Sequence, residues 1–425
     1  ETGLNKIFKT ASEFYLKQQE IHGIANKRMI EAIRSNPTVI GYCVHALTAG
    51  DWIIGAGLLD IWRNPKGLAY EKTKEANKDE IAVLRTSKKN YYYGEKISIS
   101  TILINENESK KSDLQLKVYK KLNKKRTLIF NDIKTVNVKN GVTKINEIDL
   151  GKNNTPGGYE IEVSLIKEGK SYFSTSIIFN VFSVNNLGNV KSVAILKNYQ
   201  NLINFLNKYN IGYEIFSEFT STKTTVIINN INTEIVNSKD GNVVEKNKLN
   251  KLNDFKKTIN SLNDFVFNGG KAIYLKIPGK TRKRIGPNLT FIADGIHYLP
   301  HKPIKNISQG LWDGILHMNS DHKFFKNLPT NVNMSGIYEN IAPTISLRNF
   351  KGENIVQTIA FDRIPNGNIM KRNYIGSGDV WSGSDLSIVN HGKGSMVLST
   401  LKLVENINYD PVAEIVLLNI INYFR

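Results

Sequence analysis

The sequence predicts a multidomain chain of mixed class, with α/β portions on either side of an all-β portion. One apolar run, residues 39–47, sits between two stretches of helical periodicity, as a fully buried strand of a parallel βα layer does. From Ile81 to Phe182, alternating runs are separated by turn residues, the pattern of a β-sandwich. From Ser192 onward, short apolar strands alternate with helices, the pattern of a doubly wound sheet. A chain of 425 residues has room for roughly three domains.

Residues 9–35 read as a helix. Phe14, Gln18, Ile21, Ile24, Ala25, Met29, Ala32 and Ile33 recur at helical spacing, and Asn36-Pro37 ends the run. His22 on this helix reads as a packing or surface histidine. The run 39–47 then ends in small and polar residues, with Trp52 just beyond. In a βα barrel the functional residues stand at the C-terminal ends of such strands, which places His45, Asp51 and Trp52 at a pocket. Plain core gives the same pattern, and that alternative stays open. Cys43, in mid-run, reads as a small buried hydrophobe. A second helix spans residues 65–77, with Pro65 near its start. One strand and its flanking helices cannot close a barrel, which takes eight strands. This piece therefore docks on further protein or exposes apolar surface.

The sandwich strands are expected at residues 81–84, 97–104, 114–119, 127–130, 144–150, 159–166 and 171–182. Strand pairing accounts for Tyr91-Tyr92-Tyr93. A linker at 185–189 leads to strands at 192–196, 213–215, 225–228 and 271–275, with helices at 199–209 and 252–268. Gly269-Gly270 is a helix C-cap signal. Further strands are expected at 356–361, 386–389 and 395–399. An amphipathic helix, 411–423, follows with Asp410 as N-cap and Pro411 at its first position.

Several motifs have a family resemblance. Before the apolar run stand Gln18-Gln19-Glu20-Ile21-His22 and Lys27-Arg28-Met29-Ile30-Glu31-Ala32-Ile33-Arg34. Gly41-Tyr42 lies within it, Gly57-Leu58-Leu59-Asp60 after it, and Arg63-Asn64-Pro65-Lys66 leads into the second helix. In this order they resemble the last part of the catalytic barrel of glycoside hydrolase family 2, the β-galactosidase and β-glucuronidase type. Asn154-Thr155-Pro156-Gly157-Gly158-Tyr159-Glu160-Ile161 resembles the turn into a late strand of immunoglobulin-like domains. The region after 190 resembles the glutamine-amidotransferase-like or flavodoxin-like domain that follows the barrel in some β-galactosidase-like enzymes. Trp312-Asp313, the segment 320–325 before Leu328-Pro329, and Val404-Glu405-Asn406 carry that likeness.

The resemblance implies three domains: 1–79 as the C-terminal end of a TIM (β/α)8 barrel, 80–184 as an immunoglobulin-like β-sandwich, and 190–425 as a flavodoxin or class I amidotransferase-like α/β domain. It implies hydrolysis of β-linked glycosides with retention, which needs two carboxyls roughly 5–5.5 Å apart. In the family these stand on earlier barrel strands. No position here matches either motif, so no catalytic residue is assigned and the chain alone is expected to be inactive. Within the complete protein, Trp52 would give a sugar ring an apolar platform, and His45 and Asp51 would bond its hydroxyls. The implied partner is a carbohydrate substrate, with no cofactor and no metal, and the C-terminal domain admits a homo-oligomer. The rival reading is a non-catalytic carbohydrate-binding or oligomerisation protein that keeps these modules.

Composition narrows the alternatives. The chain begins at Glu1 and reads as a fragment or a processed chain. No stretch approaches the ~20 apolar residues of a membrane span. The net charge of +19 is spread along the chain, and no aromatic-interleaved basic strand accompanies it, so nucleic acid is not expected as a partner. Cys43 is the single cysteine, which excludes an internal disulfide, a cysteine zinc cluster and a cysteine amidotransferase nucleophile in the α/β region. Gly376-Ser377-Gly378 and Ser382-Gly383-Ser384 fall short of a serine nucleophile elbow. His297, His301, His317 and His322 cluster loosely with Asp294, Asp313 and Asp321, but at no helix-based ligand spacing, so they are read as loop residues.

Overall fold

A computed structural model describes residues 4–44, 47–48, 57–122, 125–151, 155–184, 192–196, 199–217, 225–228, 257, 260–276, 291–293, 305–308, 314–348, 352–361 and 380–424. They form a mixed α/β structure, mostly strands in three sheets, with no closed barrel among the described residues. There are two compact units, one mainly Gly3–Ser183 and one mainly Val184–Arg372 with Ser377–Arg425.

In the first unit, α1 spans Ala11–Arg34 and α2 spans Gly67–Ala76. Thr10 caps α1, its Oγ1 accepting from the Glu13 N–H at 3.2 Å. The helices approach so closely at Gly23 that a Cβ there would lie 2.3 Å from the Leu68 carbonyl oxygen. Asn26 Nδ2 donates to Thr73 Oγ1 across this contact at 3.1 Å. Two cations then fasten the pair to the strands. The Lys27 ammonium donates to Glu75 and, at 2.7 Å, to Thr175 Oγ1. Arg34 donates to the carbonyls of Ala76 at 2.5 Å and Lys78 at 2.9 Å, and to Glu106 at 2.7 Å. Burial pushes the Glu31 carboxyl up, against the pull of Lys27. Burial also works to raise Glu75, but its hydrogen bonds to Lys27 and Lys72 outweigh that and leave it below the usual carboxylate range.

The α1 face differs from the sequence expectation. Phe14, Gly23 and Ile30 are buried, whereas Ile24 and Met29 face solvent. The expected strand at 39–47 is also absent: described residues 39–44 form no strand, and Cys43 is exposed rather than buried. A buried strand needs sheet neighbours on both edges and cover on both faces, and among the described residues none is placed to supply them.

The strands of this unit make two facing sheets. One holds β1 (Glu80–Thr86), β3 (Ser98–Asn105) and β6 (Gly141–Asp149) in the order β1-β3-β6. The other holds β2 (Asn90–Tyr92), β4 (Lys110–Leu122), β5 (Lys125–Val138), β7 (Gly157–Lys167) and β8 (Lys170–Phe182), in the order β2-β8-β7-β4-β5. Alternation sends Leu114, Leu116, Val118, Ile161, Val163 and Leu165 inward, onto Ile81, Val83, Ile99 and Leu103 of the first sheet, in one apolar cluster. Phe179 anchors it, stacked on Tyr159 at 5.0 Å and edge-on to Tyr91 at 5.7 Å. The short parallel strand β2, which buries Tyr91, is where the tyrosine run belongs.

In the second unit, β9 (Val193–Ile195), β10 (Tyr213–Ile215), β11 (Thr225–Ile228) and β12 (Lys271–Tyr274) are parallel, in the order β10-β9-β11-β12, and β12 continues in parallel to β19 (Gly394–Ser399). The inner strands β9, β11 and β19 are buried along their whole length, whereas all three residues of the edge strand β10 are exposed. Antiparallel strands extend the sheet beyond β19 in the order β18 (Val380–His391), β16 (Ile345–Arg348), β14 (Lys305–Ser308) and β13 (Phe291–Ala293), while β17 (Glu353–Phe361) also pairs with β18 and β15 (Gly314–Asn319) pairs with β17. The helix Pro411–Tyr423 has the expected cap, Asp410 accepting from the Val412 N–H at 2.9 Å. It is not amphipathic, however. Every residue from Pro411 to Ile421 is buried, Glu414 included. That carboxylate is held by the Lys208 ammonium at 2.8 Å, the Tyr209 hydroxyl at 2.5 Å and the Asn408 N–H at 3.0 Å, which makes its burial tolerable.

Replacing Gly23 with alanine forces a methyl into the Leu68 carbonyl and is expected to destabilise the first unit by about 1–3 kcal/mol. Gly41→Ala, where a Cβ meets nothing within 4 Å, is the control and should leave thermal unfolding nearly unchanged.

Candidate functional site

His45, Asp51 and Trp52 lie outside the described residues. The described residues on either side of them are joined to one another. The Leu58 and Leu59 N–H groups both donate to the Leu47 carbonyl, at 2.9 and 2.8 Å, and Thr48 bridges Leu59. Asp60 then organises a tight turn. Its carboxylate accepts from the N–H groups of Trp62 at 2.9 Å and Asn64 at 2.7 Å, while Arg63 takes a φ of 67°. Desolvation works to raise the Asp60 carboxyl, but the Asn64 and Trp62 hydrogen bonds and the Lys66 charge together hold it below the usual range. Asp60 is thus an ionised turn-forming group, not a proton donor.

Several apolar side chains along this stretch are exposed. Val39, Ile40, Val44, Leu47, Ile61 and Trp62 are all exposed, Ile40 completely and Trp62 at 76%. Tyr42 is tied back by its hydroxyl, which donates to Asn77 Oδ1 at 2.6 Å. Large exposed apolar side chains so close along a sequence mark a surface that meets something else.

A cleft of about 480 Å³ lies between α2 and the start of β8, lined by Glu71, Lys74, Glu75, Lys78 and residues 171–174. Glu75 is neutralised by Lys27 and by Lys72 at 2.9 Å, and stays ionised. Lys78 lies over the Phe173 ring at 5.7 Å.

The second unit holds a buried polar centre that sequence reasoning only partly found. Of the residues singled out near it, His317, Asp321 and His322 are described, and His297, His301, Asp294 and Asp313 lie outside the described residues. His317 pairs not with Asp321 but with Asp385 of β18, Nδ1 to Oδ2 at 2.8 Å. The Ser346 hydroxyl donates to Asp385 Oδ1 at 2.6 Å, and Thr358 donates to Oδ2. The β17–β18 ladder passes from Val356↔Leu386 to Gln357↔Ser384, so Asp385 is the extra residue of a bulge. Bulges re-aim side chains, and this one turns the carboxylate into the sheet. A lone Asp in Ser384-Asp385-Leu386-Ser387-Ile388-Val389 was the available signal, since a buried carboxylate demands donors. A carboxylate on Nδ1 fixes a histidine tautomer as in acid–base dyads. Here Asp385 and Thr358 are wholly buried, and the dyad locks four strands together. His322 serves elsewhere: its Nδ1 accepts from the Phe324 N–H at 3.2 Å, and its ring packs on Phe324 and Tyr423. Among the described residues no group of three or more His, Cys, Asp and Glu side chains is placed to hold a metal ion. No helix among them is long and apolar enough to cross a membrane.

No protein-family model matches the chain, and no curated protein matches it. Parts of it are similar to solved structures. A β-glucosidase of Erythrobacter marinus is 10% identical over 24% of this chain and 15% of that one, with a TM-score of 0.20. The alkylpurine DNA glycosylase AlkC of Pseudomonas fluorescens is 14% identical over 24% and 30%, with a TM-score of 0.20. A cycloisomaltooligosaccharide glucanotransferase of Paenibacillus sp. is 12% identical over 45% and 27%, with a TM-score of 0.22. The chain spans less than a third of the length of each of these three proteins. Likenesses this partial assign neither a fold nor an activity.

Removing the Asp385 carboxylate leaves an imidazole and two hydroxyls without their acceptor. Asp385→Ala is expected to cost about 2–4 kcal/mol, and Asp385→Asn less. Denaturant unfolding of the two variants beside the parent chain measures this.

Proposed function

We propose that the chain is the C-terminal part of a family 2-like glycoside hydrolase that cleaves β-linked glycosides with retention. In this reading residues 1–79 end its barrel, 80–184 form an immunoglobulin-like sandwich and 190–425 form an amidotransferase-like α/β domain. The observation that carries the reading is the exposed apolar run that begins at Val39. It has the composition of an inner barrel strand, stands between the motifs that resemble the end of such a barrel, and lacks cover among the described residues. The order β10-β9-β11-β12 of the parallel strands supports the α/β assignment, since flavodoxin-like sheets follow it.

The reaction needs a carboxylate nucleophile and a carboxylic acid on opposite sides of the scissile bond. Both come from protein outside these 425 residues. This chain contributes the rim of the pocket: Trp52 stacks on the apolar face of a sugar, and His45 and Asp51 take hydrogen bonds with its hydroxyls. The carbohydrate is the substrate.

A panel of aryl β-glycosides tests this. Hydrolysis is expected from a chain lengthened by a full preceding barrel and not from the 425-residue chain. In the longer chain, Trp52→Ala should raise KM more than it lowers kcat. Activity of the 425-residue chain by itself, or silence of both, contradicts the proposal.

A further inference from the structure

β5 is the outer strand of the five-stranded sheet, and among the described residues its free edge pairs with no other strand. A free edge presents open N–H and C=O groups, a template for another strand. β5 contains neither Pro nor Gly, and Leu128, Ile129 and Ile133 on it are about half exposed. The ladder to β4 runs Val118↔Phe130 then Tyr119↔Leu128, so Ile129 is a bulge and the regular stretch begins at Phe130. From there residues alternate. Phe130, Asp132, Lys134 and Val136 share the core-side face with Val118, Leu116 and Leu114, while Asn131, Ile133 and Thr135 share the outer face. Charges on the core side of an edge strand bar indiscriminate pairing. Here the two charges are opposite in sign and two residues apart, with Lys134 Nζ 3.1 Å from Asp132 Oδ2.

We propose that β5 pairs with β5 of a second copy of this chain, antiparallel, about a two-fold axis through Ile133. In that register Phe130 faces Val136 of the second copy, Asn131 faces Thr135, Asp132 faces Lys134 and Ile133 faces itself. Each opposed pair is apolar on apolar, amide on hydroxyl, or cation on anion, and the symmetry repeats every one of them. Moving the axis to Asp132 sets two aspartates face to face, and moving it to Lys134 sets two lysines face to face. The charges that repel a foreign strand thus select this one register. The pairing joins two five-stranded sheets edge to edge and closes as a dimer, with no further β5 edge left open.

Sedimentation of the full chain at about 0.15 M salt should show a concentration-dependent dimer. Lys134→Asp and Asp132→Lys each set like charges opposite one another at both symmetry-related positions and should weaken association about tenfold or more. The double variant Asp132→Lys, Lys134→Asp restores complementarity and should restore the dimer. Thermal unfolding below the dimerisation concentration separates loss of pairing from loss of fold. A cross-link supplies an independent readout. In a Cys43→Ser background, Ile133→Cys should form a disulfide between copies, because directly opposed Cα atoms lie about 4.5–5.5 Å apart. Thr135→Cys should not. A monomer at every concentration, without cross-linking through position 133, overturns the proposal. So does a dimer indifferent to the single charge changes.

Discussion

An apolar strand is stabilised by what lies beside and above it: neighbouring strands that take its N–H and C=O groups, and side chains that cover its faces. Residues 39–44 have the composition for that environment, and among the described residues they do not have the environment itself. Ile24 and Met29 of α1 and Ile61 and Trp62 of the Asp60 turn are exposed as well, although helical spacing and apolar character would send them inward.

The helix pair that carries this surface is nevertheless built rigidly. Gly23 brings α1 and α2 to backbone contact, and Lys27 and Arg34 each reach acceptors on more than one element. Such half-buried, multiply bonded cations are worth more than exposed ion pairs, because little of their attraction is screened by solvent. Leu47 and Leu58 are joined by a hydrogen bond, and the turn beyond them is held by Asp60. A rigid mount beneath an uncovered apolar face is what a docking or pocket-forming segment requires.

Legibility in the sequence followed burial. Where one face of a strand meets a core, alternation is sharp, and the runs from Ile81 to Phe182 fell on strands. β5 was marked only at 127–130, because Asp132 and Lys134 interrupt the core-side pattern over the rest of the strand. The same two residues that hide the strand from the eye give it its pairing preference. The parallel strands β9, β11 and β12 were legible as short apolar runs between helices. The antiparallel extension was legible only in part, since Asp385 acts through a bulge, which has no periodic signal. The last helix read as amphipathic because Glu414 and Asn419 look like surface residues; Lys208 and Tyr209, some 200 residues earlier in the sequence, are what allow Glu414 inside. The proposed pocket residues His45, Asp51 and Trp52 rest on sequence motifs alone.

Amide hydrogen exchange across residues 11–62, in the 425-residue chain and in one lengthened by a preceding barrel, tests the central claim most directly. The account predicts rapid exchange at residues 39–44 in the shorter chain and strong protection there in the longer one, with the α1–α2 contact around Gly23 protected in both. Equal exchange at 39–44 in the two chains would mean that no missing barrel covers this surface.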